Sequence, residues 1–170
     1  MKTWCARIRR RLLLLNQLRT PHQWWLFARI FIFATTVPAL FRLRLSVLNR
    51  ILERPILPAG PPEAASAQAE QIIRCVEIVR AVGRPLVRPK CLTRACTLYY
   101  FLRRAGMELT LCFGAARKEG QLVADAGHCW LMKNGEPFLE TQDPRANFAP
   151  FFSLPHSMHG TGDPRSGRRR

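Results

Sequence analysis

One stretch constrains this chain more than any other: KCLTRACTLYYFLRRAG, from Lys90 to Gly106. Leu92, Ala95, Tyr99 and Leu102 recur at helical spacing, Arg103 and Arg104 occupy the last turn, and Gly106 supplies the stop. Pro89 suits an extended or turn entry just upstream. The pattern predicts an amphipathic helix that opens on Cys91. A thiol at a helix N-terminus meets the positive end of the peptide dipoles and unpaired N–H groups, a setting that suits a thiolate. Cys91 is therefore a candidate nucleophile.

Before this helix the chain reads as helical, and after it as sheet. Helices are expected over Trp4–Leu18, His22–Ala34 and, with Pro38 in its first turn, onward to Leu52. The prolines and glycine of 54–64 suggest a linker or a wrapping segment. A further helix is expected from Ser66 to Val82, with Ile72, Val76 and Val79 along one side. Beyond Gly106 the period changes. Met107–Ala116 and Ala126–Lys133 read as strands flanking a turn at Arg117–Gly120. Asn134-Gly135 is a hairpin signal, with Pro137–Thr141 as the returning strand. Asp143–Pro155 reads as an irregular cover rich in Phe, and His156 onward as a disordered basic tail. The fold class is α+β, a nucleophile helix packed on an antiparallel sheet. Its parts are a basic helical region at 1–53, a core at 54–155 and the tail at 156–170.

Composition limits the partners. The 170 residues, 48% of them hydrophobic, do not describe a disordered chain, and they carry a net charge of +16. Eleven Lys and Arg precede residue 55, against the single acid Glu53, which gives a basic face able to meet an acidic partner. No recognition-helix arrangement or aromatic platform points to nucleic acid. The nearly apolar run from Trp24 to Phe41 is interrupted by Arg29 and Pro38, short of the roughly 20 clean residues a membrane span needs. A helical hairpin packed on the core is expected there, with peripheral membrane contact as the alternative. The six cysteines form no CxxC pair and no zinc-ligand spacing, and no secretory signal precedes them. A reducing cytoplasm and free thiols follow.

A cysteine nucleophile needs a base, usually imidazole. His22 begins an N-terminal helix, and His156 and His159 lie in the tail, so His128 in AGHCWLMKNGE is the candidate. A third group should hold the imidazole in its working tautomer. Register decides which. With a strict two-residue turn at Asn134-Gly135, His128 faces Thr141 and Glu140 points to the other side of the sheet. With a three-residue bulged loop, His128 lies opposite Glu140. Asp143 is the alternative, just past the strand end.

The runs CLTRACTLYYFLRRAG, LTLCFGAARK and AGHCWLMKNGEPFLETQDP together resemble the B-type leader peptidases of lasso-peptide biosynthesis, which are transglutaminase-like cysteine peptidases. The likeness covers about residues 5 to 155. That family usually shows a Cys-Leu-x-Arg-Ser helix, a strand ending in Gly, and an Ala-His-Ala-Trp strand with a short turn. The resemblance implies a papain-like core and a Cys-His-Asp triad that hydrolyses the leader from a ribosomally made precursor. Cys91 and His128 match its first two members. Glu140 stands where the family usually has Asp, Ala95 where it has Ser, and Gly127 where it has Ala. No strands precede residue 54, so the resemblance implies the split form, with three partners: the precursor peptide, a separate leader-recognition protein and an asparagine-synthetase-like cyclase. ATP belongs to that maturation pathway, but no phosphate loop occurs here and no cofactor is expected. Two other readings stay open, a catalytically silent binding protein and a different transglutaminase-like amide hydrolase.

Overall fold

The computed structural model describes residues 9, 11–41, 50–53, 62–84, 86, 87, 90–118 and 121–155. The element order is α1 (Pro21–Leu40), α2 (Pro62–Val82), α3 (Cys91–Arg104), β1 (Thr110–Lys118), β2 (Gln121–Lys133), β3 (Glu136–Phe138), a 3-10 turn at Pro144–Ala146, and β4 (Phe148–Leu154). A short helical turn at 11–15 precedes α1. This is the α+β layout expected. Residues 4–8 and 10 of the Trp4–Leu18 helix, residues 42–49 past Phe41, most of the 54–64 linker and the tail from His156 lie outside the described residues.

α1 starts where its sequence dictates. Thr20 accepts a hydrogen bond from the Gln23 N–H at 3.2 Å, and the Gln23 side chain accepts from Thr20 N–H at 3.2 Å, a reciprocal capping box with Pro21 behind it. Its end differs from expectation. Pro38 lies inside the last turn of α1 and does not open a third helix. A proline this close to the C-terminus removes one intrahelical N–H while the rest of the ladder holds. By length and composition α1 is long and apolar enough to cross a membrane, contrary to the shortfall read from the sequence, although Leu26, Ile30, Ala34 and Val37 are buried in the protein core.

α3 is the central helix. It was read as amphipathic, yet Thr93, Ala95 to Tyr99, Phe101 and Leu102 are all buried, because α1 and α2 also pack against it and the sheet lies alongside. The Thr97 hydroxyl is satisfied by the Thr93 carbonyl at 2.6 Å. At the far end Gly106 adopts φ +87, its N–H bonds Arg103 O, and Met107 N–H bonds Leu102 O. That Schellman closure uses the Met107 amide, so β1 begins at Thr110 and not at Met107. One cluster of buried residues runs from Leu18 through α1, α2 and α3 to Leu131 and Leu154.

The four strands are antiparallel in the order β3-β2-β1-β4. β1 extends to Lys118 and β2 resumes at Gln121, through residues read as a turn. A bulge shifts the register between Ala115, opposite Gly127, and Ala116, opposite Val123. The segment read as irregular cover contains a strand, β4, at the sheet edge. Pro150 argues against a strand by lacking an N–H, but it sits at an edge and at a bulge, where that donor is dispensable. The bulge turns Phe151 outward, 71% exposed.

Candidate active site

Cys91 is the first residue of α3 and is partly exposed. Lys90, the N-cap, is extended and makes no side-chain cap bond, and no acidic residue occupies the first turn. Arg94 N–H is the first amide to take an intrahelical partner, Lys90 O at 3.2 Å. The amides of the first turn are therefore unspent by the helix, as the geometry of any helix start requires. The contrast with α1, closed by its capping box, is local chemistry: lysine offers no acceptor.

His128 sits in β2 opposite Gly114 of β1. Alternation puts it on one face with Trp130, while Cys129 faces α3 and is buried. Burial pushes the Cys129 thiol well up, and the neighbouring Cys96, Cys91 and Cys112 add to that. The imidazole stacks on Trp130 at 5.9 Å between centroids and 14° between planes, and tilts against Phe148 at 5.0 Å. Gly114 makes room for this shelf, since a Cβ there would come within 2.7 Å of the Trp130 ring.

Glu140 reaches the histidine, with Oε2 3.3 Å from His128 Nε2. The register by which it does so was not foreseen. The hairpin is the strict two-residue kind, Lys133 opposite Glu136, with Asn134 at φ +52 and Gly135 at φ +82. On continued alternation Glu140 would point away. The strand instead ends at Phe138, and Leu139 takes φ +59, which breaks the pleat and returns Glu140 to the His128 side. Asp143 is occupied elsewhere. It accepts from Arg145 N–H at 2.9 Å and pairs with the Arg145 guanidinium, which holds its carboxyl below the usual range.

Sequence reasoning missed Arg94. It donates through Nε to Glu77 of α2 at 2.9 Å, through Nη1 to Glu140 at 3.3 Å, and through Nη2 to the Leu139 carbonyl at 3.0 Å. One fork thus ties α2, α3 and the segment after β3 together, a geometry that guanidinium provides and ammonium does not. The signal was present, because Arg94 is the Arg of the Cys-Leu-x-Arg pattern. Cys91 and Arg94 are three residues apart and share a face of the first turn. The Cys91 sulfur and the imidazole are not hydrogen-bonded to each other, so the site joins His128 to the cysteine helix through Glu140 and Arg94.

A family model described as the transglutaminase-like superfamily matches residues 36–153, well over half of the chain. This chain belongs to the transglutaminase-like superfamily. The match contains Cys91, Arg94, His128 and Glu140, and it begins within α1. The superfamily includes cysteine peptidases and amide hydrolases. No curated protein and no solved structure matches the chain. Among the described residues, no group of three or more His, Cys, Asp or Glu could hold a metal ion.

Proposed function

We propose that this transglutaminase-like protein is a cysteine peptidase that removes the leader from a ribosomally made lasso-peptide precursor. The observation that carries the reading is the His128–Glu140 pair, tethered by Arg94 to the first turn of the Cys91 helix. The sequence likeness to the split B-type leader peptidases supplies the pathway.

Glu140 engages Nε2, so Nδ1 is the ring nitrogen that exchanges a proton with the thiol. His128 takes the Cys91 proton, and the sulfur attacks the carbonyl at the leader–core junction. The tetrahedral oxyanion is met by amides of the uncapped first turn of α3. Collapse breaks the C–N bond, and His128 gives its proton to the departing core amine. Water, deprotonated by the same imidazole, hydrolyses the thioester and frees the leader. The thiol and the imidazole are not bonded in the resting structure, and catalytic contacts of this kind often tighten only when substrate binds. The steps require no cofactor. A separate recognition protein delivers the precursor, and an ATP-dependent asparagine-synthetase-like cyclase consumes the freed core N-terminus.

The test is mass spectrometry of a candidate precursor incubated with the protein and its recognition partner, beside Cys91→Ala and His128→Ala. A leader-sized fragment is expected with wild type alone. Cleavage that persists in either variant would remove that residue from the mechanism. A folded wild-type protein that binds precursor without cutting it would leave a binding role in place of the peptidase.

A further inference from the structure

α1 carries an apolar face that the protein core does not use. Leu26, Ile30, Ala34 and Val37 face inward. On another side, Trp25 is 65% exposed and Ile32 is 63% exposed, with Arg29 exposed between them. The spacing i, i+4, i+7 lines these three along one stripe. Trp24, 46% exposed, adjoins Trp25, and on the helical turn ahead of α1 Leu12 and Leu13 are also largely exposed. Large apolar side chains gathered on one short segment are a recurrent sign of an interaction surface.

Ahead of Glu53 the sequence carries charge of one sign. Ten Lys and Arg precede Glu53, and no acid does. Arg9, Arg19 and Arg29 are exposed. The Arg29 guanidinium lies 5.9 Å from the Phe101 ring centroid.

Both features point to one kind of surface. A positive patch can meet an acidic protein or an anionic bilayer, and the exposed indoles and isoleucine beside it favour the bilayer, whose headgroup boundary takes such side chains. An acid-free segment with exposed Arg9, Arg19 and Arg29 suits a partner that is uniformly anionic and needs no register. A bilayer containing anionic lipid offers that, with headgroups for guanidinium and an acyl boundary for indole and aliphatic side chains. α1 is apolar enough to enter such a boundary, and its inward face is held by the protein core, so the helix lies along the membrane and does not cross it.

We propose that α1 docks this protein peripherally on an anionic bilayer. Trp24, Trp25 and Ile32 enter the boundary between headgroups and acyl chains, and Arg9, Arg19 and Arg29 contact the headgroups. This inference stands apart from the peptidase reading, because none of these residues belongs to the Cys91–His128 site.

The experiment is flotation of the full-length chain with vesicles of phosphatidylcholine alone or with about a quarter phosphatidylglycerol, in about 0.1 M salt. The protein should float with the anionic vesicles and fall about tenfold in bound fraction on neutral ones. The double variant W25S/I32S should lose about tenfold of the binding to anionic vesicles with an unchanged circular dichroism spectrum, since both side chains are exposed. Wild type left in solution beside anionic vesicles would overturn the proposal, as would a double variant that floats like wild type. Binding to soluble polyglutamate without binding to vesicles would overturn it in favour of an acidic polypeptide.

Discussion

Glu140 stands 3.3 Å from His128 across a strand that has already ended. The two-residue turn at Asn134-Gly135 sets a register in which Glu140 should face away, and one left-handed residue, Leu139, reverses that. A side chain with a Cβ rarely holds φ +59 without support. The support is visible in Arg94, which bonds both the Leu139 carbonyl and the Glu140 carboxylate. Glu140 is thus held from the cysteine helix itself.

Glu140→Gln should therefore cost more activity than Asp143→Asn. Glu140 contacts the imidazole, whereas Asp143 caps the 3-10 turn at Pro144 and pairs with Arg145. A loss of about 10- to 100-fold in kcat is expected for Glu140→Gln and less than about twofold for Asp143→Asn. Steady-state cleavage rates decide it, and the reverse ranking would move the assignment to Asp143.

Arg94→Met should destabilise the fold as well as the site. It removes one cation from between two carboxylates, Glu77 and Glu140, and leaves the Leu139 carbonyl without its donor. Arg94 and Glu140 are both largely buried, so about 1–3 kcal/mol of stability should be lost in urea unfolding. Arg94→Lys should recover only part of this, because a point charge cannot serve three acceptors in one plane. Unchanged unfolding midpoints in both variants would show that the fork carries no stability.

Gly114→Ala should disturb the shelf beneath the imidazole. The added Cβ would lie 2.7 Å from Trp130 Cζ3, 2.8 Å from Cη2 and 3.1 Å from the Ala149 carbonyl. The indole is rigid and its Nε1–H already bonds Met132 Sδ at 3.2 Å. A loss of about 1–3 kcal/mol is expected, with a change in the near-ultraviolet signal of Trp130. A thermal midpoint equal to wild type would mean that β4 yields without cost.

Thiol chemistry should separate Cys91 from the rest. Among the described cysteines Cys75, Cys96, Cys112 and Cys129 are buried and Cys91 is not. Brief iodoacetamide treatment followed by peptide mapping should label Cys91 first of these five.

Alkali should unfold the protein for a related reason. Burial pushes the Cys112 thiol from 9.0 to about 11 and the Tyr99 hydroxyl from 10.0 to about 12. A raised folded value contributes stability that is complete below the unfolded value and lost as pH climbs through the folded one. Stability should hold up to about pH 9 and then fall by roughly 1 kcal/mol per pH unit, through Cys112 between about pH 9 and 11 and through Tyr99 between about pH 10 and 12. A flat denaturation midpoint between pH 9 and 11 would contradict this.

Local chemistry made part of this protein legible in its sequence. The Cys91 helix, its Gly106 stop and the Asn134-Gly135 hairpin all rest on side-chain periodicity and backbone conformation within a few residues. Other features depend on groups far apart in the chain. Pro150 could join a strand only because β4 lies at an edge, and α3 lost its polar face because α1 and α2 cover it. Glu140 came to His128 because an arginine 46 residues away fixes the backbone around Leu139, against the alternation that the turn alone would impose. Periodicity reports the face a residue would take in an unbroken element; only tertiary contacts decide where an element breaks and which side chain the break delivers.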